Sequence, residues 1–187
     1  MHERLESLVD TVVALIDVFQ EGDIPYAFGG AIALSAWSEP RATTDVDLNI
    51  WVDDEGLSGA LDRLEAAGVA FARDQATSDA KHRGMFQGRH GGYRIDVFVP
   101  SVPFYDEALS RRAPVNLAGR DTWVLSAECL AVFKMLFFRP KDIVDVARLL
   151  EVSSANLDVS FVREHLVDMM GDDDERVAKW DELVDRG

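Results

Sequence analysis

The stretch YAFGGAIALSAWSEPRATTDVDLNIWV, residues 26–52, decides the fold of this chain because it contains the pattern of a complete strand–helix–strand unit. Residues 24–28 are apolar and short enough for a β-strand, and they end at Gly29 and Gly30. Glycine tolerates positive φ and lets a ligand approach the main chain. Residues 31–37 predict a helix, whose N-terminus favours an anion bound at the two glycines. Residues 46–52 predict the second strand.

Two carboxylates, Asp45 and Asp47, alternate with apolar residues at the start of that second strand. Because successive side chains of a strand point to opposite faces, both acids lie on one face, and the other face carries Val46, Leu48 and Ile50. Two like charges this close are costly unless a cation lies between them, and their oxygen ligands suit Mg²⁺. The alternative is a pair of ordinary surface acids at an exposed strand end.

A third acid, Asp96, interrupts an apolar strand further along the chain. Residues 81–88 and 91–100 predict a hairpin that turns at residues 89–92. In the second arm, Asp96 shares its face with Arg94 and Phe98, and the opposite face carries Tyr93, Ile95, Val97 and Val99. Taken alone, Asp96 is a polar residue on a half-exposed strand.

These motifs together resemble the signature of the DNA polymerase β-type nucleotidyltransferase superfamily, in which a third acid such as Asp96 is expected. The residues that carry the resemblance are Gly29, Gly30, Arg41, Thr43, Thr44, Asp45, Val46, Asp47 and Leu48. The form R-x-T-T-D-V-D-L is most similar to the AbiEii-like nucleotidyltransferases, which are toxins of toxin–antitoxin and phage-abortive systems. The superfamily usually has Gly-Ser where this chain has Gly-Gly, so Gly30 offers no hydroxyl to a phosphate.

A second stretch, LSAECLAVFKMLFFRPKDIVDVARLL at residues 125–150, resembles the same AbiEii-type family. There an L-x-x-K helix precedes R-x-K-D-x-x-D, and the matching residues here are Lys134, Arg139, Lys141, Asp142 and Asp145. Lys134 either extends along its apolar neighbours to reach solvent or directs its ammonium group at a triphosphate. The two acids either cap the following helix or act in the site.

The resemblance implies a metal-dependent enzyme that transfers an NMP from an NTP to an acceptor hydroxyl. It implies two Mg²⁺ ions, both bound by Asp45 and Asp47, with Asp96 binding the acceptor-side ion and serving as the general base. Gly29 and Gly30 would hold the β- and γ-phosphates through main-chain N–H groups. The other residues that we expect at the NTP are Arg41, Thr44, Lys134, Lys141 and Asp145, with Lys134 among the catalytic residues. Thr43 and Thr44 are also suited to fixing their loop through local hydrogen bonds.

The acceptor remains open among three classes at this point. The family resemblance favours a toxin that modifies RNA, such as tRNA, or a protein, and that is held in check by a cognate antitoxin. The second class is a small-molecule transferase of the antibiotic-resistance type, whose cationic aminoglycoside substrates seek carboxylates. The third is a catalytically silent module that binds a nucleotide or a partner. The complete set of three acids counts against the third class.

The composition is that of a folded domain. The chain has 187 residues, 48% of them apolar, which is long enough for one domain with a substantial core. It has no run of about 18 apolar residues and starts with an acidic, amphipathic pattern, so we expect no membrane span, no signal peptide and a cytoplasmic location. The single cysteine, Cys129, predicts a buried thiol, and the four histidines lack zinc-binding spacing.

The charge is strongly negative and unevenly distributed. A formal charge of −15 argues against a general nucleic-acid binder, which needs a basic surface. Residues 73–120 contain eight Lys or Arg against five Asp or Glu, whereas residues 151–187 contain eleven acids against four bases. The basic middle segment is either a local phosphate-binding surface or an ordinary solvated face. The acidic end favours a cationic substrate or a basic partner over RNA.

The fold class expected from these patterns and from the resemblance is α/β (α+β), with a mixed, mostly antiparallel sheet flanked by helices. We divide the chain into a nucleotidyltransferase core at residues 1–125 and a helical C-terminal part at residues 126–187. Residues 57–68, 104–109, 127–138, 141–150, 160–170 and 174–184 predict helices, and residues 69–72, 115–117 and 123–125 predict short strands. Residues 2–20 predict a first helix, with an apolar stripe of Leu5, Leu8, Val9, Val12, Ile16 and Phe19.

Overall fold

A computed structural model describes residues 7–153 and 157–186 of the chain. The strands in these residues are β1 Tyr26–Phe28, β2 Asp45–Ile50, β3 Met85–His90, β4 Tyr93–Phe98, β5 Ala113–Leu117 and β6 Arg120–Val124. The helices are α1 Leu8–Gln20, α2 Gly30–Trp37, α3 Leu57–Ala66, α4 Arg73–Arg83, α5 Phe104–Ser110, α6 Ala127–Phe137, α7 Pro140–Ser153, α8 Val159–Met170 and α9 Glu175–Val184. The predicted stripe residue Leu5 lies outside the described residues.

The strands form one mixed sheet in the order β3-β4-β2-β1-β6-β5. The pairs β1–β2, β3–β4 and β5–β6 are antiparallel, and the pairs β2–β4 and β1–β6 are parallel. This confirms the predicted α/β class with a mixed, mostly antiparallel sheet. The parallel pairing of β2 with β4 matters most for function because it aligns the two strands that carry the three aspartates.

The two faces of the sheet follow from the alternation along β2. Val46, Leu48 and Ile50 are completely buried on one face, where α1, α3 and α4 pack. On this face the hydroxyl of Thr11 in α1 lies 2.8 Å from Nδ1 of His90 in β3, and the two groups share a hydrogen bond. The opposite face carries the aspartates, and α2 and α6 cover part of it. One face of the sheet is therefore core, and the other is free to build a site.

The C-terminal helices pack around α6, whose residues from Ala127 to Met135 are almost all buried. α2, α7, α8 and α9 surround this helix, and one continuous apolar core joins them to the sheet. The change from strands to helices lies between Val124 and Ala127, close to the predicted position. Its interpretation as a boundary between a core and a C-terminal part stays a prediction.

Two segments between β2 and β4 differ from the prediction. Residues 73–83 form α4, a helix that the sequence analysis missed because only Ala76 and Ala80 are buried and no apolar stripe is present. The first arm of the hairpin therefore begins at Met85 instead of at residue 81. Residues 69–72 were wrongly assigned to a strand, since they form only an isolated bridge between Ala70 and Arg89.

Val9 was placed in the apolar stripe of the first helix, but its side chain is exposed.

Two of the C-terminal helices begin at side-chain caps. Oγ of Ser126 accepts a hydrogen bond from the N–H of Cys129 at 3.2 Å and caps α6, and Asp174 caps α9 through the N–H of Arg176. Cys129 is buried, and burial raises the pKa of its thiol to about 11, in agreement with a structural cysteine. Among the helices in the described residues, none combines the length and the apolar composition that a lipid bilayer requires.

Candidate active site

The parallel pairing of β2 and β4 brings the three predicted aspartates to one place. Asp47 lies directly beside Asp96, and Asp45 lies beside Arg94. Asp45 and Asp47 share a face of β2 because they are two residues apart, and this register places Asp96 on the same face. Acids that are distant in the sequence therefore become neighbours, as the resemblance implies.

Burial and a neighbouring acid act together on the carboxylate of Asp47. Its pKa is raised to about 6, first by burial and then by the negative charge of Asp96. The positive charges of Lys134, Lys141 and Arg139 offset only part of this shift. A carboxylate in this situation is stabilised by any additional cation that binds next to it, so the charge balance favours a bound metal ion.

Arg94 pairs with the other two acids, Asp45 and Asp96. Its Nη2 lies 3.0 Å from Oδ2 of Asp45, and its Nε lies 3.2 Å from Oδ1 of Asp96. Within residues 7–153 and 157–186, no three acidic, histidine or cysteine side chains are arranged to share one metal ion. The three aspartates provide suitable oxygen donors on adjacent strands, but two of them face Arg94. Their oxygens are of the donor type that divalent ions prefer, and in this arrangement two of the three carboxylates are paired with Arg94.

The diglycine turn between β1 and α2 lies directly against Asp47. Gly30 has a φ of +52°, and a Cβ atom at this position would overlap Oδ2 of Asp47. The prediction that both glycines offer N–H groups to phosphates is wrong for Gly29, whose N–H donates to the carbonyl of Asp47 at 2.9 Å. That bond extends the β1–β2 pairing. The first-turn N–H groups of Gly30, Ala31 and Ile32 have no acceptor within helix α2 and are the remaining anion donors.

A wall of cations lies beside this turn. Nε and Nη2 of Arg41 donate to the two carboxylate oxygens of Asp145 at 3.0 and 2.9 Å, and Nζ of Lys134 donates to Oδ2 of Asp145 at 2.7 Å. Nε of Arg139 donates to Oδ2 of Asp142 at 2.6 Å. The wall also includes Lys141, which is exposed at the edge of the pocket. The predicted residues Arg41, Lys134 and Lys141 are thus brought together.

The two acids of this region lie behind the cations. Asp142 and Asp145 are both almost completely buried. Burial alone would raise the pKa of Asp145, but the hydrogen bonds from Arg41 and Lys134 outweigh it and hold the pKa below its ordinary value. Asp145 therefore faces cations of its own chain, in contrast to the direct NTP contact that the resemblance implied. Asp142 accepts the N–H of Arg139 at 3.3 Å at the start of α7, which confirms the capping interpretation for this residue.

The two threonines before Asp45 stabilise the loop. Oγ1 of Thr43 donates to the carbonyl of Asp45 at 3.0 Å and accepts the N–H of the same residue at 3.1 Å. This confirms the local hydrogen bonding predicted for Thr43. The carbonyl of Thr44 accepts the N–H of Arg94 at 3.1 Å, whereas its hydroxyl lies 3.5 Å from Oδ1 of Asp45. Thr44 is thus close to the carboxylates, and its role at an NTP stays a prediction.

The structure also reveals site residues that sequence reasoning missed. Next to Asp47 and Lys134 is a pocket with an apolar wall, formed by Phe98, Tyr105, Leu125, Leu130, Phe133 and Phe137. The position of Phe98 two residues after Asp96 was the available signal, since it places the ring on the same face. Gln87 was also missed. Its Nε2 donates to Oδ1 of Asp96 at 2.9 Å across the β3–β4 pair, which no local pattern indicates.

Comparisons with solved structures identify nucleotidyltransferases of the same fold. The solution structure of the antibiotic-resistance factor ANT(2'')-Ia is 16% identical with a TM-score of 0.52, and the match covers 95% of this chain and 89% of that chain. The lincomycin-bound lincosamide antibiotic adenylyltransferase LnuA is 14% identical with a TM-score of 0.50, and 76% and 96% of the chains are covered. An antigenic nucleotidyltransferase-like protein from Paracoccidioides brasiliensis is 20% identical over 91% and 92% of the chains, with a TM-score of 0.49.

A comparison with curated proteins found no match. A family model does match, and its description is nucleotidyl transferase AbiEii toxin, type IV toxin–antitoxin system. The match runs over residues 14–185, so it includes the aspartates, the diglycine turn and the cation wall. The chain therefore belongs to the AbiEii family of nucleotidyltransferase toxins.

Proposed function

We propose that the protein transfers an NMP from an NTP to an acceptor hydroxyl at the three aspartates, and that the acceptor is RNA such as tRNA. The observation that carries the proposal is the strand register that places Asp47 beside Asp96, with Asp45 on the same face. Three carboxylates next to a helix N-terminus combine a cation site with an anion site. A nucleoside triphosphate bound to metal needs both.

The triphosphate would lie between the N-terminus of α2 and the cation wall. The N–H groups of Gly30, Ala31 and Ile32 provide donors on one side, and Lys134 and Arg41 provide positive charge on the other. The polyphosphate carries several negative charges, which fixed donors and cations stabilise better than water does because they need no reorganisation. We assign Lys141 and Arg139 at the pocket edge to the same task.

We further assign Asp145 to positioning these cations. Its carboxylate holds Arg41 through two hydrogen bonds and Lys134 through a third, so both cations are fixed before a nucleotide binds. Asp142 acts in the same way on Arg139. A preorganised cation loses less side-chain entropy when it binds a phosphate. The acids of this motif therefore support the triphosphate site without touching it.

The apolar pocket next to Asp47 is the place for the base and ribose of the NTP. Phe98, Phe133 and Phe137 provide aromatic surface, and the pocket is continuous with Gly29, Gly30 and Lys134. Aromatic rings stack on every nucleobase, so the pocket supports nucleotide binding without indicating one base. Asn49 is a polar group in its wall.

In the reaction, the acceptor oxygen forms a bond to the α-phosphorus, and the bond between that phosphorus and the α,β-bridging oxygen breaks to release pyrophosphate. We assign Asp96 as the general base that takes the hydroxyl proton. Asp45, Asp47 and Asp96 would hold two Mg²⁺ ions, which lower the pKa of the acceptor hydroxyl and neutralise the leaving pyrophosphate when bound. The chain's own cations complete the neutralisation.

The charge at the pocket mouth favours an anionic acceptor over a cationic one. The exposed or half-exposed cations there are Arg41, Arg139 and Lys141. The acids that line the pocket are Asp47, a proposed metal ligand, and Asp142, which is buried behind the cation wall. A cationic aminoglycoside would be repelled by such a rim, whereas an RNA phosphate would be attracted. The local charge thus outweighs the net charge of −15, which had favoured a cationic substrate.

The test is a transfer assay with each α-labelled NTP, Mg²⁺, and either cellular RNA, a protein extract or tobramycin as acceptor. We expect label in RNA with the wild type and none with Asp47→Asn. Asp54→Asn is the matched control, because Asp54 is an exposed acid just beyond β2 and we expect full activity from it. Label in protein or tobramycin would contradict the RNA assignment. NTP binding without transfer to any acceptor would contradict the enzyme assignment.

As a toxin, the protein should arrest growth when it is expressed, and a cognate antitoxin should relieve the arrest. Asp47→Asn should abolish the arrest, and Asp54→Asn should not. Arrest that persists in Asp47→Asn would show that the toxicity does not depend on transfer.

A further inference from the structure

Arg94 occupies an unusual position for a residue that the proposed chemistry does not use. It lies on the same face of β4 as Asp96 and in register with Asp45, and 41% of its side chain is exposed. Its guanidinium bridges two of the three proposed metal ligands, at 3.0 Å from Asp45 and 3.2 Å from Asp96. A divalent ion bound to the same two carboxylates would meet this positive charge.

The contact between Arg94 and the acids depends more on charge than on directed hydrogen bonds. Nε of Arg94 is buried and, although it is close to Asp96, it makes no hydrogen bond among the described residues because the direction is unfavourable. In contrast, Arg41 donates two well-formed hydrogen bonds to Asp145. Arg94 is thus held less firmly than Arg41, and its side chain is partly exposed to solvent.

Asp96 does not need Arg94 to keep its orientation. Gln87 on β3 donates to Oδ1 of Asp96 at 2.9 Å, and the register places the two residues side by side. Gln87 is neutral, so it does not repel a metal ion. The carboxylate of Asp96 therefore stays oriented when the guanidinium leaves.

We propose that Arg94 is the resident counter-ion of the aspartate cluster and that a divalent metal ion must displace its guanidinium to bind. This inference rests on the proposed function, which assigns the three aspartates to metal binding. Arg94 stabilises the metal-free site, and the same contacts lower the affinity for the metal. Partly exposed ion pairs are modest in strength, so removal of this arginine should tighten metal binding by roughly 3- to 30-fold.

The experiment is calorimetric titration of the wild type and of Arg94→Met with Mn²⁺ in the absence of nucleotide. We expect the Kd of Arg94→Met to be lower by roughly 3- to 30-fold, because methionine keeps the apolar stem and removes the charge. Arg83→Met is the matched control, since Arg83 is exposed and pairs only weakly with Asp79 on α4 at 3.5 Å. Its Kd should equal that of the wild type. Equal or weaker binding by Arg94→Met would overturn the inference.

The melting temperature in EDTA provides a second measurement. We expect Arg94→Met to melt below the wild type without metal, because Asp45 and Asp96 lose their counter-ion, and the difference to shrink when Mn²⁺ is added. A difference that is unaffected by Mn²⁺ would contradict displacement. If Arg94→Met does not fold, Arg94→Gln takes its place with the same expected direction.

The two proposals fail in different ways. If the wild type and Arg94→Met bind Mn²⁺ equally and Asp47→Asn does not bind it, the metal site stands and the role of Arg94 is wrong. If neither the wild type nor Arg94→Met binds Mn²⁺ at millimolar concentration, the metal assignment itself fails, and with it both proposals.

Discussion

Asp47 is a residue at which burial and a neighbouring negative charge both disfavour the charged form. Its carboxylate is partly buried, lies beside Asp96 and faces Gly30, and its pKa is raised to about 6. In the unfolded chain the same group titrates near its ordinary value of about 4. Folding therefore disfavours the charged form of Asp47, and this penalty lowers the stability of the folded protein at neutral pH.

We expect Asp47→Asn to stabilise the metal-free protein at neutral pH. The wild type loses stability as the pH rises from about 4 to about 6, because the unfolded chain releases the proton first, and the variant lacks this loss. The gain should reach about 1–3 kcal/mol above about pH 6 and vanish near pH 4. Urea denaturation in EDTA across this pH range measures it. A variant that is no more stable than the wild type at pH 7 would contradict the expected strain.

Asp145 shows the opposite balance, since it lies between two cations that lower its pKa. We expect Asp145→Asn to reduce the free energy of unfolding by about 2–4 kcal/mol, because the buried ammonium of Lys134 loses its close partner. The loss should be smaller in a Lys134→Met background, with a coupling energy of about 1–3 kcal/mol. A double-mutant cycle by urea denaturation measures it. Additive effects of the two substitutions would refute the coupling.

At the scale of elements, the turn from β1 into α2 explains why this chain has Gly-Gly where the superfamily usually has Gly-Ser. Gly30 has positive φ, and its Cα faces the carboxylate of Asp47 without room for a Cβ. A side chain here would strain the backbone and push Asp47 away from its position beside Asp96. The missing hydroxyl is thus a consequence of how closely the turn approaches β2.

We therefore expect Gly30→Ser to impair the protein, although it restores the residue type of the superfamily signature. The positive φ alone should cost about 1–2 kcal/mol of stability, and displacement of Asp47 should weaken Mn²⁺ binding by roughly tenfold or more. Urea denaturation and calorimetric titration measure the two effects. Gly59→Ser is the control, because a Cβ at Gly59 meets no atom within 4 Å. A Gly30→Ser variant with wild-type metal affinity would show that the turn has room for a side chain.

At the scale of the whole molecule, the sheet and the C-terminal helices share one core. Leu130 and Met135 of α6 are buried, as are Val162 of α8 and Trp180 of α9, and the same apolar cluster continues into β1 and β2. The candidate site also spans both parts, because the aspartates are on strands and Lys134 is on α6. The division near residue 125 therefore marks a change of architecture inside one shared core.

We expect neither residues 1–125 nor residues 126–187 to fold alone. Each large apolar side chain left exposed costs about 1.5–3 kcal/mol, and a domain has only about 5–15 kcal/mol of stability in total. Circular dichroism melting of each piece, compared with the full chain, measures this. A cooperative melting transition in either piece would contradict the shared core and would support two independent units.

The features that sequence reasoning predicted well depend on residues close together in the chain. The alternation along β2 placed Asp45 and Asp47 on one face, and the pattern of residues 127–138 predicted helix α6. Both follow from the geometry of a single strand or helix turn. Helix α4 was missed because its polar sequence has no apolar periodicity that a local pattern could reveal. In the folded protein only Ala76 and Ala80 of this helix are buried.

By itself, the sequence determined the types of most elements, the face of each acid and, through its motifs, the family. Only the tertiary structure decided which side chains meet. The β2–β4 register makes Asp47 the neighbour of Asp96. The N–H of Gly29 is hydrogen-bonded to the carbonyl of Asp47 in β2, and Arg94 bridges Asp45 and Asp96. The physical reason is that strand register and burial of the core act between residues far apart in the chain, and no local pattern encodes them.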